Sequence, residues 1–240
     1  MQVVRNALTQ DKTRIIRRGA DKALLVLVGL SSELANWNTI AQCFDSLDMD
    51  IFVPDYVARP SLAGCVESVA DFIITENLAS YQELHVFAYI LGGAIFNRYL
   101  AENDLPNLRS IIYDRSPHQE RAPRVAADLF PSLARLSFGN VVLELADNPY
   151  QPCPREDIHR ALLIETKRTT LMQIFAWHAR KMGAIHWEAN TFGQAHDDYV
   201  YIPLDHTQMY ARLGAFSSLL SHFYAHGHFP ENANRTPPQE

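Results

Sequence analysis

The sequence predicts an α/β fold: a mostly parallel central sheet with helices on both faces and a helical insertion. It is expected as one domain over residues 1–229, with a possible helical lid within 115–196 and a flexible tail at 230–240. Three observations predict it. Short apolar runs bounded by glycine, proline or an acidic residue recur at Ala23–Gly29, Ile51–Pro54, Leu84–Ala88 and Ser110–Asp114, as strands buried on both faces do. Stretches with apolar residues at helical spacing separate them. Strand and helix alternating in this way imply right-handed crossovers, and hence parallel strands.

Taken in order, Val3 to Leu8 and Thr13 to Arg17 suggest an edge hairpin across Thr-Gln-Asp-Lys. Ala23 to Gly29 is the first central strand. Ser31 caps a helix whose face is Leu34, Trp37, Ile40, Ala41 and Phe44. After the strand at Ile51, Pro60 opens a helix with Val66, Val69, Ala70, Ile73 and Ile74 as its buried stripe. Leu84 to Ala88 and Ser110 to Asp114 are the next two strands, with a helix from Gly92 to Leu100 between them. Beyond Asp114 the expectation is a helix near 124–136, a strand over Asn140–Asp147, one long or two abutting helices over 155–182, a last strand at Tyr199–Pro203 and a final helix carrying Tyr210 to Tyr224.

Composition narrows the function classes. Of 240 residues, 48% are hydrophobic and 20% charged, which excludes a largely disordered chain. A formal net charge of -6 provides no broad basic face for nucleic acid or an anionic membrane, so a small-molecule or protein partner is favoured. Cys43, Cys65 and Cys153 are odd in number and lack C-x-x-C spacing, which suits a reducing compartment. With no signal-like N-terminus and no apolar run of membrane-spanning length, a cytoplasmic location is expected. No cofactor and no metal is implied. His222, His226 and His228 share a helical neighbourhood but have no matching carboxylate, and are expected as surface histidines.

The most informative stretch is Leu84 to Leu100, a strand, a sharp turn and a helix. Ala88-Tyr89-Ile90-Leu91-Gly92 aligns with G-x-S-x-G, the nucleophile elbow of the α/β-hydrolases. Ala88 and Gly92 supply the small residues that a close approach of strand and helix demands. Ile90 stands where the attacking group belongs, and no activation makes it a nucleophile.

On these residues and on the order of elements, the chain resembles the α/β-hydrolase superfamily over roughly its whole length. The resemblance implies an oxyanion loop at Gly29-Leu30-Ser31, with Val28 replacing the usual His. It implies main-chain donors at Leu30 and Leu91, and a catalytic His at His206, after the last strand. It places the orienting acid at Asp147, or at Asp114 one strand earlier. His206 is alternatively a residue capping the last helix. A pocket lined by Leu30, Ser31, Tyr89, Ile90 and Leu91 would suit an apolar ligand bearing one carbonyl or carboxylate. The expectation is therefore a hydrolase-like pocket without hydrolysis. The alternatives are a cofactor-independent enzyme using His206 as general acid or base, and an esterase or thioesterase with its nucleophile displaced to Ser31, Ser32 or Cys153.

Overall fold

β1 (Arg14–Ile16), β2 (Lys22–Leu27) and β3 (Asp50–Val53) begin a computed structural model that describes residues 12–29, 39, 42–114, 122–147, 151–167, 174, 176–181, 187–205, 208 and 211–238. β1 pairs antiparallel with β3, Ile16 opposite Ile51, so its described partner is β3. The proposed hairpin mate, Val3 to Leu8, lies outside the described residues, as does most of the helix expected after Ser31.

α1 (Leu62–Thr75) is capped by the Ser61 hydroxyl, which accepts from the Gly64 N–H at 3.1 Å. Its buried stripe is Leu62, Cys65, Val69 and Ile73. Ile74, expected inside, is exposed because the stripe is phased one residue earlier. β4 (Glu83–Tyr89), α2 (Ile90–Glu102) and β5 (Leu108–Asp114) follow, as the alternation predicts.

The next segment corrects several expectations. The helix near 124–136 is two, α3 (Ala122–Leu129) and α4 (Pro131–Phe138). They break at Pro131, which has no N–H to continue the first helix but suits the first turn of the second. Asn140 to Asp147 is not a strand. It is α5 (Val141–Asp147) with the turn before it, and tertiary packing of Val141 and Val142 overrides their β preference. Conversely, the expected helix at 155–182 contains β6 (His159–Glu165), and only α6 (Ala176–Lys181) is a described helix there. A run such as Ala161-Leu-Leu-Ile164, buried on both faces, has no period that separates strand from helix. β6 also interrupts the expected 115–196 insertion.

β7 (Asp198–Ile202) and α7 (Ser217–His226) complete the chain. The sheet order is β1-β3-β2-β4-β5-β6-β7, parallel except for β1. The tail from Pro230, expected to fray, is instead held along β7. The Asn234 carbonyl accepts from the Tyr201 N–H at 2.8 Å, and Arg235 grips Asp198 with Nη2 at 2.9 Å and Nε at 3.1 Å.

Parallel pairing brings the C-terminal ends of β2, β4, β5, β6 and β7 to one edge. That edge is where open α/β sheets build their sites. Helix α7 covers the sheet elsewhere, with the Tyr224 ring edge-on to His85 at 5.3 Å and its hydroxyl donating to the Val86 carbonyl at 3.4 Å.

Candidate functional site

The turn from β4 to α2 sits at the middle of that edge. Ala88 is flanked in register by Leu27 of β2 and Tyr113 of β5. Gly92 faces Leu27 so closely that a Cβ on it would stand 2.5 Å from the Leu27 carbonyl oxygen, and one on Gly93 would stand 3.0 Å from the Tyr113 ring. The small residues therefore do what the elbow pattern asks of them: they let helix and strand backbones nearly touch.

Ile90 is the first residue of α2 and is half-buried. Tyr89 before it is extended, at φ -71 and ψ 148, and Asn77 is the one non-glycine with positive φ among the described residues. The β4–α2 turn has therefore relaxed into an ordinary strand-to-helix passage. The strain that a β-branched residue would meet in the left-handed region is absent. Leu91 is buried. Tyr89, expected at a pocket mouth, is fully enclosed, with its ring edge-on to Phe87 at 5.0 Å.

Two carboxylates close the same edge. Asp114 ends β5 beside Tyr89, and Glu165 ends β6 opposite Ile202 of β7, and both are fully buried. Ionisable groups are rarely buried so completely, and strand ends facing a site are one place where they occur. Glu165 is not legible as a site residue from sequence, where its segment has helical composition; with β6 in place it ends the penultimate strand.

Asp147 loses the basis of its assignment. It ends a helix rather than the penultimate strand, its side chain is 73% exposed, and it pairs with Arg124 at 3.3 Å. Asp205 caps the chain's exit from β7. Its carboxylate accepts from the Gln208 N–H at 3.0 Å, while the Gln208 side chain accepts from the Asp205 N–H at 3.4 Å. This reciprocal pair is a capping box, visible in advance as Asp-x-x-Gln. His206, Leu30, Ser31 and Ser32 lie outside the described residues. On the Gly29 side, the Tyr56 hydroxyl donates to the Val28 carbonyl and fixes the end of β2.

Burial disfavours the thiolate form at two of the three cysteines. Burial pushes the Cys65 thiol up to about 12, reinforced by the Glu144 charge, and burial raises the Cys43 thiol too. Cys153 is buried, with its sulfur directed at the Arg155 carbonyl at 3.8 Å. Among the described residues, no three His, Cys, Asp or Glu side chains stand arranged around an ion.

This architecture is the α/β-hydrolase fold. The chain is similar to an α/β-hydrolase-fold protein from Chitinophaga pinensis, with 12% identity and a TM-score of 0.58 over 89% of this chain and 93% of that one. It is similar to an esterase of Pyrococcus furiosus, with 12% identity and a TM-score of 0.57 over 88% and 84%. It is also similar to a type II thioesterase of the yersiniabactin pathway, with 14% identity and a TM-score of 0.54 over 90% and 99%. No protein-family model and no curated protein matches the sequence.

Proposed function

We propose that this chain is a non-hydrolytic protein of the α/β-hydrolase fold that binds a small apolar compound bearing a carbonyl or carboxylate. One observation carries the reading. The position that would present a nucleophile holds Ile90, on a turn whose backbone has abandoned the strained geometry of an elbow. Apolar residues at the turn favour an apolar ligand, and main-chain N–H groups at a helix start suit an oxygen atom.

The partner is a small molecule rather than nucleic acid or membrane. The net charge of -6 supports this, and among the described residues no helix is long and apolar enough to cross a bilayer. The unpaired cysteine inventory supports a cytoplasmic setting.

A second reading is favoured by the two buried carboxylates Asp114 and Glu165. Together with His206 they would make an acid–base centre that acts on a bound carbonyl compound without covalent attack. Incubation with 4-nitrophenyl butyrate and with a short acyl thioester separates these readings from a hydrolase. Both compounds are expected to be recovered intact at the rate of a protein-free control. Turnover abolished by Ser31→Ala would instead identify a displaced serine.

A further inference from the structure

Three imidazoles crowd together where the last helix hands the chain to its C-terminal segment. His222 and His226 are one turn apart on α7, with ring centres 4.4 Å apart. Gly227 then turns the chain back at φ 78, which brings the His228 ring to 5.3 Å from His222 and 6.1 Å from His226. The turn requires glycine twice over. L side chains avoid that φ, and a Cβ there would stand 2.6 Å from the His159 ring of β6. The three rings do not form a metal site.

His226 and His228 are exposed, as expected, but His222 is half-buried because Gly227 folds His228 back on the helix. The Nε2 of His222 is enclosed and has no hydrogen-bond partner among the described residues. A proton taken up there would put charge where neither water nor an acceptor meets it, beside two further rings that can also charge. Burial first, and then His226 and His228, accordingly hold the His222 pKa below its ordinary 6.5. The nearby acids are already committed. Asp198 of β7 is engaged by Arg235 at 2.9 Å, and Asp197 is paired with Arg160 at 3.0 Å and feels the charge of His159. Glu231 is exposed.

The cluster is joined directly to the C-terminal segment. His228 Nδ1 donates to the Phe229 carbonyl at 2.9 Å, and the Phe229 N–H donates to Asp198 at 2.7 Å. The Phe229 ring packs on Phe223 at 5.1 Å, and Asn234 then pairs with Tyr201 of β7. We propose that His222, His226 and His228 are a proton-sensitive catch: in mild acid they charge, push apart and free residues 227–238 from β7, uncovering an edge of the sheet. The released segment takes up protons more readily, since its rings separate and His222 Nε2 meets water. The catch therefore holds fully above the ordinary imidazole value of 6.5 and weakens as pH falls below it.

The test is hydrogen exchange of the full chain at about pH 7.5 and about pH 5.5, each rate divided by the intrinsic rate at that pH. Protection over residues 229–236 is expected to fall by about tenfold, while β4 and β5 keep theirs because local opening needs no global unfolding. In His222→Gln, and in the paired variant His226→Gln with His228→Gln, the fall is expected to shrink to about twofold or less. His178→Gln, which alters a histidine placed 3.2 Å from Asp128, serves as the control and is expected to behave as the unaltered chain does. The paired variant changes exposed side chains only, so it decides the matter should His222→Gln misfold. Protection that does not change with pH in the unaltered chain overturns the proposal, and so does a fall of full size in the paired variant. A fall shared equally by β4 and β5 overturns it as well, because acid would then act on the whole fold.

Discussion

Gly92 stands against Leu27 with no room for a side chain: a Cβ would lie 2.5 Å from the Leu27 carbonyl oxygen and 2.6 Å from its Cβ. The nearer obstacle is backbone in a central strand, which cannot swing aside. Gly92→Ala is therefore expected to destabilise the fold by about 2–3 kcal/mol, although alanine favours helix elsewhere. Urea denaturation measures this. A stability equal to or above that of the unaltered chain would show that α2 lifts away from β2 freely.

His85 is expected to set the stability of the protein in mild acid. It lies inside the sheet with Nδ1 2.7 Å from the Ser110 hydroxyl, and burial drives its pKa down to about 4 despite the neighbouring Glu83. The unfolded chain, near the ordinary value of 6.5, takes up the proton first. Stability from neutral His85 is thus complete above pH 6.5 and is lost as pH falls toward 4, by about 3 kcal/mol in all. Asp50 acts in a different window. Burial opposes its ionisation, but N–H donors of Arg18 and Ala20 and the Tyr81 hydroxyl outweigh that, so its carboxyl sits below the usual range and its contribution is lost only in stronger acid. His85→Gln should flatten the urea midpoint between pH 6.5 and 4. An unchanged slope would assign the acid sensitivity elsewhere.

Arg235 and Asp198 make a two-pronged contact that holds the C-terminal segment over the edge of β7. Such charge-assisted forks are stronger than single ion pairs, though partial exposure of Arg235 reduces the gain. Arg235→Ala should cost about 1–2 kcal/mol. Removing residues 230–240 should cost more, because it also uncovers the Tyr201 N–H on an edge strand. Thermal unfolding compares the two variants. Equal midpoints for all three proteins would mean that the segment contributes nothing.

The sheet was legible wherever a strand began and ended on a punctuating residue. Ala23 to Gly29, Leu84 to Ala88 and Ser110 to Asp114 all lie in strands or at their ends. His159 to Glu165 was not, because Arg, Ala, Leu and Glu favour helix in isolation and only burial between β5 and β7 makes them a strand. That inversion hid Glu165, and the opposite one at Asn140–Asp147, where a helix stands in place of the expected strand, carried the acid to Asp147. The elbow frame was legible because steric need leaves a compositional trace in Ala88 and Gly92. Relaxation of the turn left none, since Tyr89 and Ile90 read the same in either geometry.

The relaxed turn has a consequence for restoring chemistry. Ile90→Ser places a hydroxyl at the first residue of a regular helix, where nothing drives it out toward a substrate. The variant is expected to fold, to lose about 1–2 kcal/mol of apolar burial from a half-buried site, and to stay without esterase activity on 4-nitrophenyl butyrate. Activity that appears in Ile90→Ser and vanishes on adding His206→Ala would show that a working base is poised over residue 90 after all.

The most direct measurement is covalent labelling of the unaltered protein by a fluorophosphonate, read by intact mass and by peptide mapping. Fluorophosphonates mark an activated serine whatever its position in the chain, so they do not presuppose residue 90. With Ile90 in place of a nucleophile on a relaxed turn, the mass is predicted to stay unchanged under conditions that fully label a serine esterase. Stoichiometric labelling at one serine, lost when His206 is replaced by alanine, would contradict the account and make the protein a hydrolase with a relocated nucleophile.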